Sequence, residues 1–242
     1  MILRRLDSDK WRAGYMETCT SGSEGSSWKP PAARRQGAGF LPYRNDEHLL
    51  RRNRFIADLY QRFVDDRNDE NYVRTCMANF LLESLYFYSG FSFFYALARQ
   101  GKMTATATLI KYIQRDELTH VVLFQNMIKE LRRENPDLFT PEFIEELREM
   151  ARTAVEHEIR WGQYITNNNI QGLTNDIIDR YIKYLANERM TRLGFDILYP
   201  EITTHPMKWV ESFSNLNATK TDFFEQKVTN YTKASTLDFG DL

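Results

Sequence analysis

Glu83 is the only charged residue among the 23 positions from Cys76 to Ala98, a stretch that also holds eight aromatic side chains. An ionised carboxylate in such surroundings costs several kcal/mol unless a cation or a metal compensates it, or else it takes up a proton. Further along, Glu117-Leu-Thr-His120 sets a carboxylate and an imidazole three residues apart. At i, i+3 both project from one face of a helix, the arrangement used by helical bundles that bind two metals through carboxylates. A lone Glu-x-x-His is common by chance, and a surface glutamate beside a solvated histidine is its ordinary explanation. Register makes this one more specific. Gly101 marks a turn, with Glu83 18 residues before it and Glu117 and His120 16 and 19 residues after it. If the flanking helices pack antiparallel, a rise of about 1.5 Å per residue puts all three side chains roughly 24 to 29 Å from the turn. Two carboxylates and one imidazole at the same level suit iron or manganese better than structural zinc.

The elements that position these residues read as long helices. Asn45 or Asp46 can cap a first helix whose apolar positions Leu49, Leu50, Phe55, Ile56, Leu59, Tyr60, Phe63 and Val64 recur at helical spacing. A second helix is expected from about Glu70 to Arg99, and a third from about Ala105 to Glu134, ahead of Pro136. Thr140 followed by Pro141 opens a fourth that runs to about Tyr164, and Thr174 caps a fifth that Gly194 ends. No alternating Val/Ile/Thr run of strand length appears, so the fold class expected is all-α. Residues 76–98 also meet the length and apolarity of a membrane span. Their polar Asn79, Ser84, Ser89 and Ser92, together with amphipathic neighbours, favour the buried centre of a bundle instead.

The segment 1–44 is rich in Gly, Ser, Pro and Arg without helical or strand period and reads as disordered; residues 45–230 read as the helical domain and 231–242 as a flexible tail. A net charge of -1, from 32 basic and 33 acidic residues, gives no general attraction for nucleic acid or an anionic membrane. Cys19 and Cys76 are the only cysteines, which excludes a disulfide framework and fits a reducing, cytoplasmic setting. Neither a secretory signal nor a transit peptide fits the acidic residues of the first twenty positions. His157, His205, Trp161 and Trp209 are assigned no chemistry.

With these residues in place, the chain resembles the small subunit of class I ribonucleotide reductase. The similarity runs from about Leu49 to the C-terminus, through Asn53-Arg-Phe-Ile-Ala-Asp-Leu-Tyr60, Leu82-Glu-Ser-Leu-Tyr-Phe-Tyr88, Arg115-Asp-Glu-Leu-Thr-His120, Tyr184-Leu-Ala-Asn-Glu-Arg189 and Phe223-Phe-Glu-Gln-Lys-Val-Thr-Asn-Tyr231. The resemblance implies a ferritin-like helical bundle, a di-iron or di-manganese centre, an oxidoreductase role in deoxyribonucleotide synthesis, and a homodimer that works with a large subunit. It implies that Glu83, Glu117 and His120 ligate the second metal, one carboxylate being shared with the first. Phe87, Phe91 and Ile113 would line the apolar pocket around the radical. Asp116 would act on the proton-coupled electron route, with a simple salt bridge to Arg115 as the equally weighted alternative. Tyr231 would relay the radical to the large subunit, and Leu237, Asp238, Phe239, Asp241 and Leu242 would dock there, against the alternative of a merely solubilising end.

The same resemblance implies an Asp, a first Glu-x-x-His, a radical tyrosine and a relay tryptophan upstream of the matching region, and residues 1–82 contain no match to them. The expectation is therefore of a bundle incomplete at its N-terminus with half the ligands. A split gene with a partner chain, an intron or a frameshift would each produce it. Two other readings stand beside this one: a different ferritin-like dimetal oxidase, which has no need of the tail, and a truncated interaction module without catalysis.

Overall fold

The computed structural model describes residues 46–214. The segment 1–44, Tyr231 and the docking residues Leu237, Asp238, Phe239, Asp241 and Leu242 lie outside the described residues. All regular structure within them is helical: α1 Glu47–Asp65, α2 Asp69–Ser84, α3 Tyr88–Arg99, α4 Thr104–Glu134, α5 Pro141–Thr166, α6 Asn175–Leu193 and the short α7 Trp209–Ser214, with one 3-10 turn at Pro136–Leu138.

Helix starts follow the side-chain chemistry at their caps. Asp46, Asn68, Thr140 and Thr174 each accept the backbone N–H three residues on, from Leu49, Asn71, Phe143 and Ile177. Such bonds satisfy donors that the first turn leaves free and contribute about 1 kcal/mol each. Gly194 ends α6 at a φ of 75°, where a Cβ would be strained. The α3–α4 connection needs two left-handed residues, Gly101 at φ 75° and Met103 at φ 52°.

The sheath and centre of the bundle separate as the apolar pattern requires. α2 is buried on every side, with Val73, Met77, Ala78, Phe80 and Leu81 at 0% exposure. It packs between α1, α4 and α5, and α5 packs in turn on α6. Arg74 ties α2 to α5 through two 2.7 Å contacts to Glu146, under the ring of Phe143. Among the described residues no helix is long and apolar enough to cross a membrane.

One expectation is corrected. The single helix expected from Glu70 to Arg99 is two helices, broken at Leu85–Phe87, where Leu85 adopts φ -129°, ψ -48°. The break owes nothing to Pro or Gly. Two buried side chains from other helices take backbone groups that a continuous helix would satisfy within itself, the Tyr86 carbonyl with the Gly90 N–H and the Ser89 N–H with the Leu85 carbonyl: Arg52 of α1 donates to the Tyr86 carbonyl, and Glu158 of α5 accepts the Ser89 N–H at 2.9 Å. The short α7 is a second difference, a six-residue helix with too little periodic sequence to announce itself.

Candidate metal centre

Glu83 occupies the last turn of α2, while Glu117 and His120 lie on adjoining turns of α4, the helix against which α2 packs. α4 buries Ala107, Gln114, Val121, Ile128 and Leu131, and Glu117, three residues after Gln114, lies on the same side of the helix. One ligand atom from each of Glu83, Glu117 and His120 falls within 4.8 Å of the others, so the convergence expected from the spacing about Gly101 is realised. His120 Nδ1 is 2.9 Å from Glu117 Oε2 and 3.9 Å from Glu83 Oε2. The two glutamate side chains are 17% exposed and the histidine 53%.

This cluster is electrostatically strained without a cation. Burial, then the hydrogen bond and negative charge of Glu117, push the Glu83 carboxyl up to about 7, with His120 opposing. A divalent cation between the carboxylates would reverse the sign of that interaction. Two carboxylates and an imidazole Nδ1, drawn together in a half-buried notch, therefore fit a hard-to-borderline divalent ion.

A pH dependence follows. Unfolded, Glu83 has the ordinary carboxyl value of 4.5; folded, it is pushed up to about 7. The folded chain holds the extra proton between those values, so Glu83 adds no penalty below 4.5 and a full penalty above 7. In chelator, Glu83→Gln is expected to stabilise the chain relative to the parent by roughly 1 kcal/mol more at pH 8 than at pH 4.5, the full linkage value being reduced by partial solvation. Urea midpoints of both proteins across that window measure it, and a pH-independent difference would contradict the assignment.

The remaining site residues fall into two groups. Phe91 is buried at 5% exposure, with the Phe87 ring 6.1 Å away, but Phe87 and Ile113 are 38% and 46% exposed. Leu109, Ile113, His120 and Leu123 recur along a second face of α4, and the three apolar ones are about half exposed. Of the three residues expected to line an apolar pocket, only Phe91 is buried. Asp116 is an exposed partner of Arg115, Oδ1 to Nε 3.2 Å, and takes no part in the ligand cluster.

Sequence reasoning missed Arg52 and Glu158, which form a buried ion pair, Nη2 to Oε2 2.9 Å. Arg52 also stacks on Trp161 and Tyr86, at 5.2 and 4.7 Å from the ring centroids. Burial outweighs Arg52 and Ser89 in pushing the Glu158 carboxyl up to about 7. The signal was available. Arg52 shares the buried face of α1 with Ile56 and Leu59, and Glu158 sits in the α5 stripe Ala151, Val155, Ile159 and Gly162, as anomalous there as Glu83 is in α2. Gly162 has its own reason to lack a side chain, since a Cβ would lie 2.6 Å from Ser89 Oγ.

Comparison with known proteins agrees with this architecture. Residues 33–206 match the family model described as ribonucleotide reductase, small chain. The chain is 45% identical over 197 residues to the ribonucleoside-diphosphate reductase subunit beta of Treponema pallidum, covering 81% of this chain and 56% of that protein. To the subunit of the same name from Halalkalibacterium halodurans it is 42% identical over 196 residues, covering 81% and 57%. Among solved structures, the ribonucleotide reductase R2 subunit from Clostridium botulinum aligns with TM-score 0.70 and 59% identity, over 73% of this chain and 56% of that one. The chain spans little more than half the length of these relatives. On the family match and these identities, the chain belongs to the ribonucleotide reductase small-chain family.

Proposed function

We propose that this chain acts as the C-terminal portion of a ribonucleoside-diphosphate reductase small subunit, with Glu83, Glu117 and His120 holding one metal of a di-iron or di-manganese centre. The observation that carries the reading is the meeting of these three ligand atoms within 4.8 Å across α2 and α4. When loaded, such a centre supplies a one-electron oxidising equivalent for deoxyribonucleotide synthesis.

The chain's own residues have separate tasks in this reading. Glu83 and Glu117 neutralise the cation, one of them shared with a neighbouring metal, and His120 adds a neutral donor. Asp116, paired with Arg115, is placed one residue from the ligand Glu117 to accept or return a proton, and Tyr231 carries the radical onward. Leu237, Phe239 and Leu242 supply apolar anchors, and Asp238 and Asp241 acidic steering, for docking on the large subunit. The ligands of the other metal, which residues 1–82 do not match, come from a separate chain carrying the first half or from sequence that splicing restores, and the working unit is a homodimer.

Deletion of residues 231–242 tests the partner assignment. Loss of binding to the large subunit encoded in the same genome, with metal uptake unchanged, is the expected result. Oxidation of bound metal that proceeds without any such partner would support a ferritin-like oxidase instead. Metal content and electron paramagnetic resonance of the purified chain test the half-site. One divalent ion per chain without a radical signal is expected, and a stoichiometric two-metal centre in the chain alone would overturn it.

A further inference from the structure

The break between α2 and α3 begins two residues after Glu83 and ends at Phe87, so it sits within one turn of the candidate ligand. Its hydrogen bonds are rearranged in a specific way. The Tyr88 N–H turns back to the Leu85 carbonyl at 3.1 Å, a tighter pairing than that of an α-helix. The Ser89 N–H leaves its own helix for Glu158 Oε1 on α5, and the Tyr86 carbonyl is taken by Arg52. Arg52 and Glu158 are themselves joined at 2.9 Å, with side chains 9% and 0% exposed. The pair thus forms a buried clamp whose two arms hold the two edges of the break.

The break has a geometric consequence for the site. In an unbroken α-helix the 12 residues from Glu83 to Tyr95 would turn them about 120° apart around the axis. Both nevertheless face α4: Glu83 meets Glu117 and His120, and Tyr95 Oη donates to Gln114 at 2.6 Å. The break absorbs part of that offset, and the clamp maintains the break.

We propose that Arg52 and Glu158 are positioning residues for the metal centre: by holding the Tyr86 carbonyl and the Ser89 N–H they keep the helix open after Glu83 and so set the direction in which Glu83 faces. The inference rests on the metal-binding reading of Glu83, but the state of the break can be observed without a metal. Burial of an ion pair is a weak source of stability, and apolar replacement of both partners is often neutral or stabilising. Positional and stabilising roles are therefore separable here.

The test compares the full chain with the double variant Arg52→Leu/Glu158→Leu, in crystal structures without metal and in titration with Co²⁺. The expected result is a Ser89 N–H bonded to the Leu85 carbonyl, Glu83 displaced from Glu117 and His120, and Co²⁺ affinity at least tenfold weaker with an altered visible spectrum, while the thermal midpoint is held or raised. A retained break with parental Co²⁺ affinity and spectrum would overturn the proposal. Should the double variant not fold, the single variants decide: Glu158→Gln, which keeps an acceptor for Ser89, is expected to preserve the Co²⁺ spectrum that Glu158→Leu changes, and equal effects of the two would refute the clamp. If the parent chain takes up no Co²⁺, the metal reading fails, and the crystallographic comparison still decides the positioning role.

Discussion

Glu117→Ala is expected to weaken divalent-metal binding by about 100-fold or more, the largest functional loss available from one substitution. Changes to groups that merely support a metal ligand cost about 10- to 100-fold, and removal of a ligand itself stands at or beyond the upper end. Glu117 serves twice here, as a carboxylate donor to the ion and, before an ion arrives, as the group 2.9 Å from His120 Nδ1 that orients the imidazole. The same substitution relieves the repulsion that raises the Glu83 carboxyl, so the metal-free variant should be as stable as the parent at pH 8 or more so. Calorimetric titration with Mn²⁺, paired with urea denaturation in chelator, separates the two effects. Undiminished binding would remove Glu117 from the site, whereas loss of both binding and stability would indicate misfolding. Asp116→Ala, on the exposed side of the same helix, is the control and should bind the ion as the parent does.

Arg52→Met is expected to cost about 3–5 kcal/mol of folding stability, because it strands the carboxylate of Glu158 in the interior. Glu158 is 0% exposed, and no other cationic side chain contacts it within the described residues. The Tyr86 carbonyl loses its partner in the same step. Against a typical total of about 5–15 kcal/mol, this loss is enough to unfold a marginal chain near body temperature. The effect should shrink on acidification. With Arg52 present the Glu158 carboxyl is already pushed up to about 7, and losing the guanidinium moves it further in the same direction, so at pH 5.5 the stranded group is neutral. Urea midpoints at pH 5.5 and 8 measure the difference, and an equal loss at both would show that the ion pair is not the source.

Much of the fold was legible because local chemistry and apolar period agree along most of the chain. Asp46, Thr140, Pro141, Thr174 and Gly194 bracket helices that the structure places within a few residues of expectation. The convergence of Glu83, Glu117 and His120 was legible for a similar reason: equal offsets from Gly101 become equal heights once α2, α3 and α4 run alongside one another. The break at Leu85–Phe87 was not legible, since Leu, Tyr and Phe carry no instruction to stop a helix. That instruction comes from Arg52 and Glu158, 34 and 69 residues away from the backbone groups they hold. Long-range pairings of this kind leave one local trace, a charge on an apolar face. In Glu83 that trace led to the site; in Arg52 and Glu158 the same trace marks its support.

The half-open wall of the ligand cluster also bears on time. With His120 53% exposed and Ile113 and Leu123 bare along the same face of α4, water reaches the cluster directly. A cation held there by the described residues alone would exchange with bulk solvent through that opening, ligand by ligand, with no barrier from a closing side chain. Residence would then be governed by the strength of three bonds rather than by the opening of a cage. Covering the Leu109–Ile113–Leu123 strip with further protein would convert a rapidly equilibrating ion into one trapped for as long as that cover stays in place.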